Sequence, residues 1–339
     1  MRAKNEAETG TMFYRDKRVL VTGGTGFVGT HLVHELLKQG AHVRIPVHHR
    51  PPVVTDPRIE TVSADLTKSE DCLSVMEGID YVLHAAGAVG AAGVLPAHQL
   101  DGIAVNLILT SRVLQGAWNA GVERLMLLSS STVYPAFSHS VREREAWDGP
   151  PHPTYMGYGW MKRYLEKLAE FAASRSSLKI AVVRPTAVYG RWDNFNPHTG
   201  HVIPSLIMRA VRREEPFVVW GTGDEVRDFL HITDLVRGCL LALERYAVCD
   251  PINIGCGETV TIRQIVAAVL KAAGQEGVKV VFDAGKPTTI PFRSVDISRA
   301  RAILGFKPTV SLEEGLKDTV EWYVETILGK NCMGVDRVA

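Results

Sequence analysis

The stretch VTGGTGFVG, Val21 to Gly29, closes the apolar run that begins at Arg18 and leads straight into HLVHELLKQ, whose apolar positions recur at helical spacing. Strand, glycine loop and helix therefore follow one another without interruption. Gly23, Gly26 and Gly29 allow a tight turn, a close approach of backbone to a diphosphate, and close packing of helix on strand, while the helix N-terminus favours negative charge. With Thr25, Phe27 and Val28 between and beside them, these glycines form a candidate dinucleotide loop. A glycine triplet alone is a weak signal; its place at the opening of the first βαβ unit is what gives it weight.

Working outward, the β-branched runs HVRIPV, YVLHAAG, RLMLLSSS and KIAVVRP alternate with amphipathic stretches. This predicts an α/β protein: a Rossmann-type doubly wound parallel sheet, buried on both faces. Beyond about residue 190, Pro and Gly punctuate shorter elements (NFNPHTGHVIP, EEPFVVWGTGDE, PINIGCGE). They predict a smaller C-terminal substrate lobe that interleaves with the sheet. The expected division is a flexible arm over 1–16, a dinucleotide-binding domain over 17–190 with later segments returning to it, and the lobe over 191–330.

The 339 residues suffice for such a unit, and a formal net charge of +1 supplies no basic field for nucleic acid. Five cysteines with no CxxC spacing indicate neither a disulfide framework nor a zinc site, and His198 with His201 lacks the further ligands a metal needs, so no metal is expected. No apolar run approaches the roughly 18 residues of a membrane span, and the N-terminus lacks a signal-peptide core. A cytoplasmic protein is expected.

A site selective for NAD carries an acidic residue after the second strand, for the ribose 2′-hydroxyl. Here the chain reads HVRIPVHHRPP, and Arg44, His48, His49 and Arg50 supply donors suited to a 2′-phosphate. NADP is therefore favoured over NAD.

The GGxGxxG loop resembles that of the short-chain dehydrogenase/reductases, and further motifs fall in the order expected of their extended branch. Asp65, beside Leu66 in SADLTK, resembles the residue that contacts the adenine amine, and Ala85, Ala86 and Gly87 of HAAG form a wall of small residues for the cofactor. LLSSSTVYP ends a buried strand upstream of YGWMK, where Tyr158 and Lys162 share one helix face. A phenol is a poor base at neutral pH, its reference pKa being about 10, and the ammonium one turn on is the group that can assist it. The resemblance implies that Ser130, Tyr158 and Lys162 form the catalytic triad.

The likeness narrows to the NAD-dependent epimerase/dehydratase family of nucleotide-sugar enzymes, with motifs nearest to GDP-fucose synthase-like reductases: VVRPTAVYGRWDNF, GHVIPSLIMRAV, VVWGTGDEVRDFLHITDL and IPFRSVDISRARAILGFKP. It implies a nucleoside diphosphate sugar as substrate. Pro185, with Tyr158 and Lys162, would lie against the cofactor, His201 would act as an acid beside the sugar, and Thr132, Asn194, Val202, Arg227, Lys286 and Arg293 would contact substrate. Asp234 would support the lobe. One position departs: Thr132 stands where such synthases carry the cysteine that epimerises carbons next to a keto group. A hydroxyl, far less acidic than a thiol, does not readily deprotonate a carbon acid. The expected activity is therefore reduction of a 4-keto sugar by hydride transfer at C4. A 4-epimerase holding NAD tightly is the alternative, and a dehydratase, a non-sugar ketone reductase or a non-catalytic dinucleotide-binding module rank below it. The resemblance also implies a homodimer, through helices around Val105 to Asn119 and Tyr158 to Ser174.

Overall fold

The computed structural model describes residues 12–88, 99–197, 199–286, 288 and 290–329. Strand β1 (Arg18–Thr22) sends Val19 and Val21 into one core and Leu20 into the other, as period-two alternation requires of a strand covered on both faces. There follow α1 (Phe27–Lys38), β2 (His42–Val47), β3 (Ile59–Ser63), α2 (Ser69–Met76), β4 (Tyr81–His84), α3 (Gln99–Asn119), β5 (Arg124–Leu128), α4 (Met156–Arg175) and β6 (Lys179–Pro185). The chain continues through β7 (Ala187–Tyr189), α5 (Val202–Val211), β8 (Phe217–Trp220), β9 (Val226–Arg227), β10 (Phe229–His231), α6 (Ile232–Arg245) and β11 (Ile252–Ile254). It ends in β12 (Val260–Thr261), α7 (Ile262–Ala272), β13 (Val280–Asp283), β14 (Phe292–Arg293), α8 (Ser298–Leu304) and α9 (Leu312–Tyr323).

Among the described residues seven strands form one sheet in the order β11-β6-β5-β4-β1-β2-β3, every neighbouring pair parallel. The order reverses between β1 and β4. In open α/β sheets that switch point opens a crevice beyond the carboxyl ends of the strands, where ligands bind. Helices α1, α6 and α8 supply Leu32, Leu36, Leu235, Leu243 and Leu304 to the core on one face; α2, α3 and α4 supply Val75, Val113 and Ala169 to the other. Because α6, β11 and α8 return to the sheet after the chain has left it, the lobe is built from what remains. Its own core packs Ile203, Ile207, Phe217, Ile265 and Leu316.

Residues 1–11 of the expected arm lie outside the described residues, as does His198. The arm's other end needs correction. Tyr14 is buried and donates a hydrogen bond from its hydroxyl to the carbonyl of Leu240 on α6 (2.8 Å), and Phe13 stacks on Tyr81 with ring centroids 5.0 Å apart. Two aromatic rings bury too much apolar area to be left in solvent.

Candidate active site

At the end of β1, Gly23 takes a positive φ of 72°, and a Cβ there would lie 2.8 Å from the Ala86 backbone after β4. Only glycine fits this approach of loop to wall. A Cβ on Gly29 would stand 2.0 Å from the Gly23 carbonyl oxygen, so Gly29 sets how closely α1 enters the loop. Gly26 differs. A Cβ there would meet one atom, Gly23 O at 3.3 Å, so it looks onto open space at the N-terminus of α1, which no side chain caps. An uncapped helix start beside open space is what a diphosphate requires, and the loop fits one.

Thr25, Phe27 and Val28 are half-buried around this opening, while Ala85 and Ala86 continue β4 as a wall and Gly87 is exposed. His48 and Arg50 are exposed just past β2. Arg44 is not with them. It lies inside β2, buried, with its guanidinium bonded to Glu60 and to the carbonyls of Val75 and Glu77, so its place among the 2′-phosphate donors is corrected: it ties the sheet edge to α2. Asp65, half-buried before the buried Leu66, accepts two hydrogen bonds at Oδ1 from the N–H and hydroxyl of Thr67, which hold its carboxyl below the usual range.

Tyr158, Lys162 and Glu166 recur every fourth residue along one face of α4. Glu166 is buried and pairs with the buried guanidinium of Arg184 on β6 (2.9 and 2.6 Å), and it accepts the hydroxyl of Ser129. The carboxylate pushes the Arg184 pKa up despite its burial. Arg184 also reaches the hydroxyl of Tyr134, which donates to Asn253 on β11. α4 is thereby fixed against β6, β11 and the hydroxyl-rich run. One turn before Glu166, Lys162 donates to the carbonyl of Leu128 (2.9 Å), and its ammonium stands 5.6 Å from the centre of the Tyr158 ring.

The hydroxyl run forms a short turn of tight helix over Ser131–Val133, with Ser130 Oγ accepting the N–H of Thr132 (3.2 Å). Ser131 accepts two bonds from Arg293 on β14, from Nε at 3.2 Å and Nη2 at 2.6 Å. Arg293 is paired in register with Arg227 on β9, and burial and then the Arg293 cation press the Arg227 pKa down. Arg293, anchored to the hydroxyl run, and Arg227 beside it in register make a site suited to a doubly charged group. Thr132 is buried with a hydroxyl that has no partner among the described residues.

Pro185 ends β6. In the loop from β7 to α5, Asn194 is exposed, with its amide donating to Thr199 and its oxygen accepting from Asn196. His201 precedes the exposed Val202 and pairs with Asp193. Lys286 is exposed after β13, its ammonium 6.0 Å from the Trp220 ring centre. Asp234 is fully buried in the first turn of α6, where it accepts from the N–H and hydroxyl of Thr309 and the N–H of Val310. Among the described residues no three His, Cys, Asp or Glu side chains gather to hold a metal, and no helix is long and apolar enough to cross a membrane.

Sequence reasoning missed a second set behind the loop. His84 is buried between the hydroxyls of Thr22 (2.7 Å) and Thr110 (3.0 Å), and Asn106 clasps Ala88, accepting its N–H and donating to its carbonyl, both at 2.8 Å. The signal was an Asn and a Thr four apart on α3, which share a face.

The model of the NAD dependent epimerase/dehydratase family matches residues 19–255. GDP-L-fucose synthase 1 of Arabidopsis thaliana is 33% identical over 331 residues, covering 96% of this chain and 98% of that protein. A dTDP-4-dehydro-6-deoxy-D-allose reductase of Streptomyces is 31% identical over 318 residues, covering 91% and 96%. Among solved structures, a GDP-L-fucose synthetase of Naegleria fowleri bound to NADP superposes with a TM-score of 0.80 at 25% identity, covering 93% of this chain and 94% of that one.

Proposed function

The chain belongs to the NAD-dependent epimerase/dehydratase family, and on that premise we propose that it is a nucleotide-sugar oxidoreductase that uses NADPH to reduce the C4 ketone of a keto-deoxy sugar carried on a nucleoside diphosphate. One observation carries most of the weight. Arg293 is bonded to Ser131 in the hydroxyl run that also holds Ser130 and Thr132, and Arg227 is its register partner on β9, so a grip for a diphosphate and the polar groups for a sugar belong to one structure.

The dinucleotide would rest on the loop from Gly23 to Gly29 with its adenosine end toward Asp65, Leu66, His48 and Arg50, and with Ala85, Ala86, Gly87 and Pro185 as its wall. When bound, its nicotinamide supplies the hydride. Ser130 would donate a hydrogen bond to the C4 oxygen, and Tyr158 would give that oxygen its proton as negative charge develops. Lys162 stands beside the phenol ring and would hold the nicotinamide ribose. Asn194, Val202, His201, Arg227, Lys286 and Arg293 would line the path of the sugar nucleotide. Thr132 in place of a thiol supports reduction without epimerisation of neighbouring carbons.

The subunits would pair through α3 and α4. Trp160 and Tyr164 lie about 200° and about 240° round α4 from Tyr158, on a face that leaves Ile108, Trp118, Tyr164 and Phe171 exposed around a groove of about 1040 Å³.

The test begins with protein as isolated: denature it, identify any dinucleotide released, and supply native enzyme with nucleoside diphosphate sugars with and without NADPH. NADPH consumed only with a 4-keto sugar is the expected result. Tightly held NAD with sugar interconversion and no net redox change would assign the 4-epimerase instead.

A further inference from the structure

The loop from β7 to α5 folds an acid and a histidine eight residues apart onto each other. His201 Nδ1 lies 3.0 Å from Asp193 Oδ1, with the Asp193 side chain 1% exposed and that of His201 43% exposed. The carboxylate is held by the chain itself: Oδ1 also accepts the N–H of Asn194 (2.7 Å), and the N–H of Asp193 donates to the carbonyl of Gly190 (3.3 Å). Asp193 Oδ2 is buried without a partner among the described residues. The imidazole is not spent on capping α5, although His201 is the cap residue. A fixed, buried acceptor on Nδ1 sets the tautomer and leaves Nε2 as the nitrogen that meets a ligand.

Two influences on the ring's charge oppose each other. Burial and the positive end of α5 disfavour the imidazolium, and the Asp193 carboxylate favours it. The carboxylate is the stronger and raises the His201 pKa. Among the described residues Asp193 is the charged group that faces the ring.

We propose that Asp193 is a positioning residue, which holds His201 with Nδ1–H on the carboxylate and Nε2–H toward the bound sugar, so that His201 serves as a cationic hydrogen-bond donor to a sugar oxygen. This rests on the reductase reading for its substrate, though not for the pairing. It also gives the histidine work that needs no thiol. Thr132, where such synthases carry a thiol, is no base to abstract a proton from carbon, whereas orienting the sugar and attracting its oxygen remain useful to hydride transfer.

Asp193→Asn is the discriminating change, because the amide oxygen can still accept from Asn194 and from the ring while the charge is gone. The first readout is the imidazole titration of His201 by NMR in the full chain without dinucleotide or sugar, assigned by its loss in His201→Gln. The native midpoint should lie above about 6.5, and Asp193→Asn should lower it by about one pH unit or more, with Asp193→Glu restoring much of the shift. A native midpoint at or below that value, or one that Asp193→Asn leaves in place, overturns the proposal. The native measurement stands even if a variant fails to fold. The second readout is kcat/KM for NADPH-dependent reduction of a nucleoside diphosphate 4-keto sugar against pH. The alkaline limb should move down in Asp193→Asn, and Asp193→Asn with His201→Gln should be no slower than His201→Gln alone. Additive losses overturn the coupling. An enzyme inactive on every such sugar would count against the reductase reading while the titration still decides the pairing.

Discussion

His84 shows how a residue can matter to a site without touching a ligand. Buried between Thr22 and Thr110, its pKa is pushed down to about 3, first by burial and then by Lys162, so it stays neutral. In the unfolded chain a histidine titrates near 6.5. Between these two values the unfolded state holds a proton that the folded state does not, so stability falls as pH drops below about 6.5, by up to about 1.4 kcal/mol per pH unit. Denaturant unfolding at several pH values should therefore show a shallower acid slope in His84→Gln than in the native protein, and equal slopes would refute the account. Asp228, whose pKa burial raises to about 7, acts in the opposite direction in both proteins and cancels in the comparison. The chemistry itself is tested at Tyr158: Tyr158→Phe should lower kcat by about 10²- to 10⁴-fold while dinucleotide affinity, followed by fluorescence titration, stays close to native. A variant that keeps full activity would remove Tyr158 from the reaction. The buried ion pair of Arg184 with Glu166 explains how the phenol is presented, since it fixes the helix one turn beyond Lys162.

At the scale of elements, the glycine loop separates two roles that the sequence shows as one triplet. Gly26→Ala adds a methyl group to open space at the start of α1, so melting should stay within a few degrees of native while dinucleotide affinity, measured by calorimetry, falls at least tenfold. Gly29→Ala drives its methyl group into the Gly23 carbonyl and should lower the melting temperature markedly whether or not ligand is present. If both variants lost stability equally and neither lost affinity first, Gly26 would not face the diphosphate. The long apolar runs of β1, β2, β4, β5 and β6 were legible because continuous burial leaves a continuous apolar signature. The two-residue strands β9, β12 and β14 were not, since two residues have no period to read. Yet β9 and β14 bring Arg227 beside Arg293. Arg44 was misplaced for a related reason: basic residues before and after the end of β2 look alike in sequence, and the pleat directs Arg44 into the sheet edge while His48 and Arg50 lie past it.

For the whole molecule, the exposed apolar face of α3 and α4 predicts a dimer in sedimentation equilibrium. Tyr164→Asp should yield monomers of native circular dichroism, and a monomeric native protein at micromolar concentration would exclude this interface. The same scale shows where reading the chain stops. Alternation of strand and helix, the glycine loop and the Tyr158–Lys162 pair were determined by sequence alone, because each depends on residues within one or two turns of chain whose backbone geometry repeats. Tertiary structure decided the rest. Ser131 and Arg293 are 162 residues apart, and Thr22 and His84 are 62 apart. Asp193 meets His201 across only eight residues, through an irregular loop. No local period brings such groups together: β14 pairs with β9 to carry Arg293, β1 pairs with β4 to set Thr22 beside His84, and burial of His84 in that packed interior then keeps it neutral.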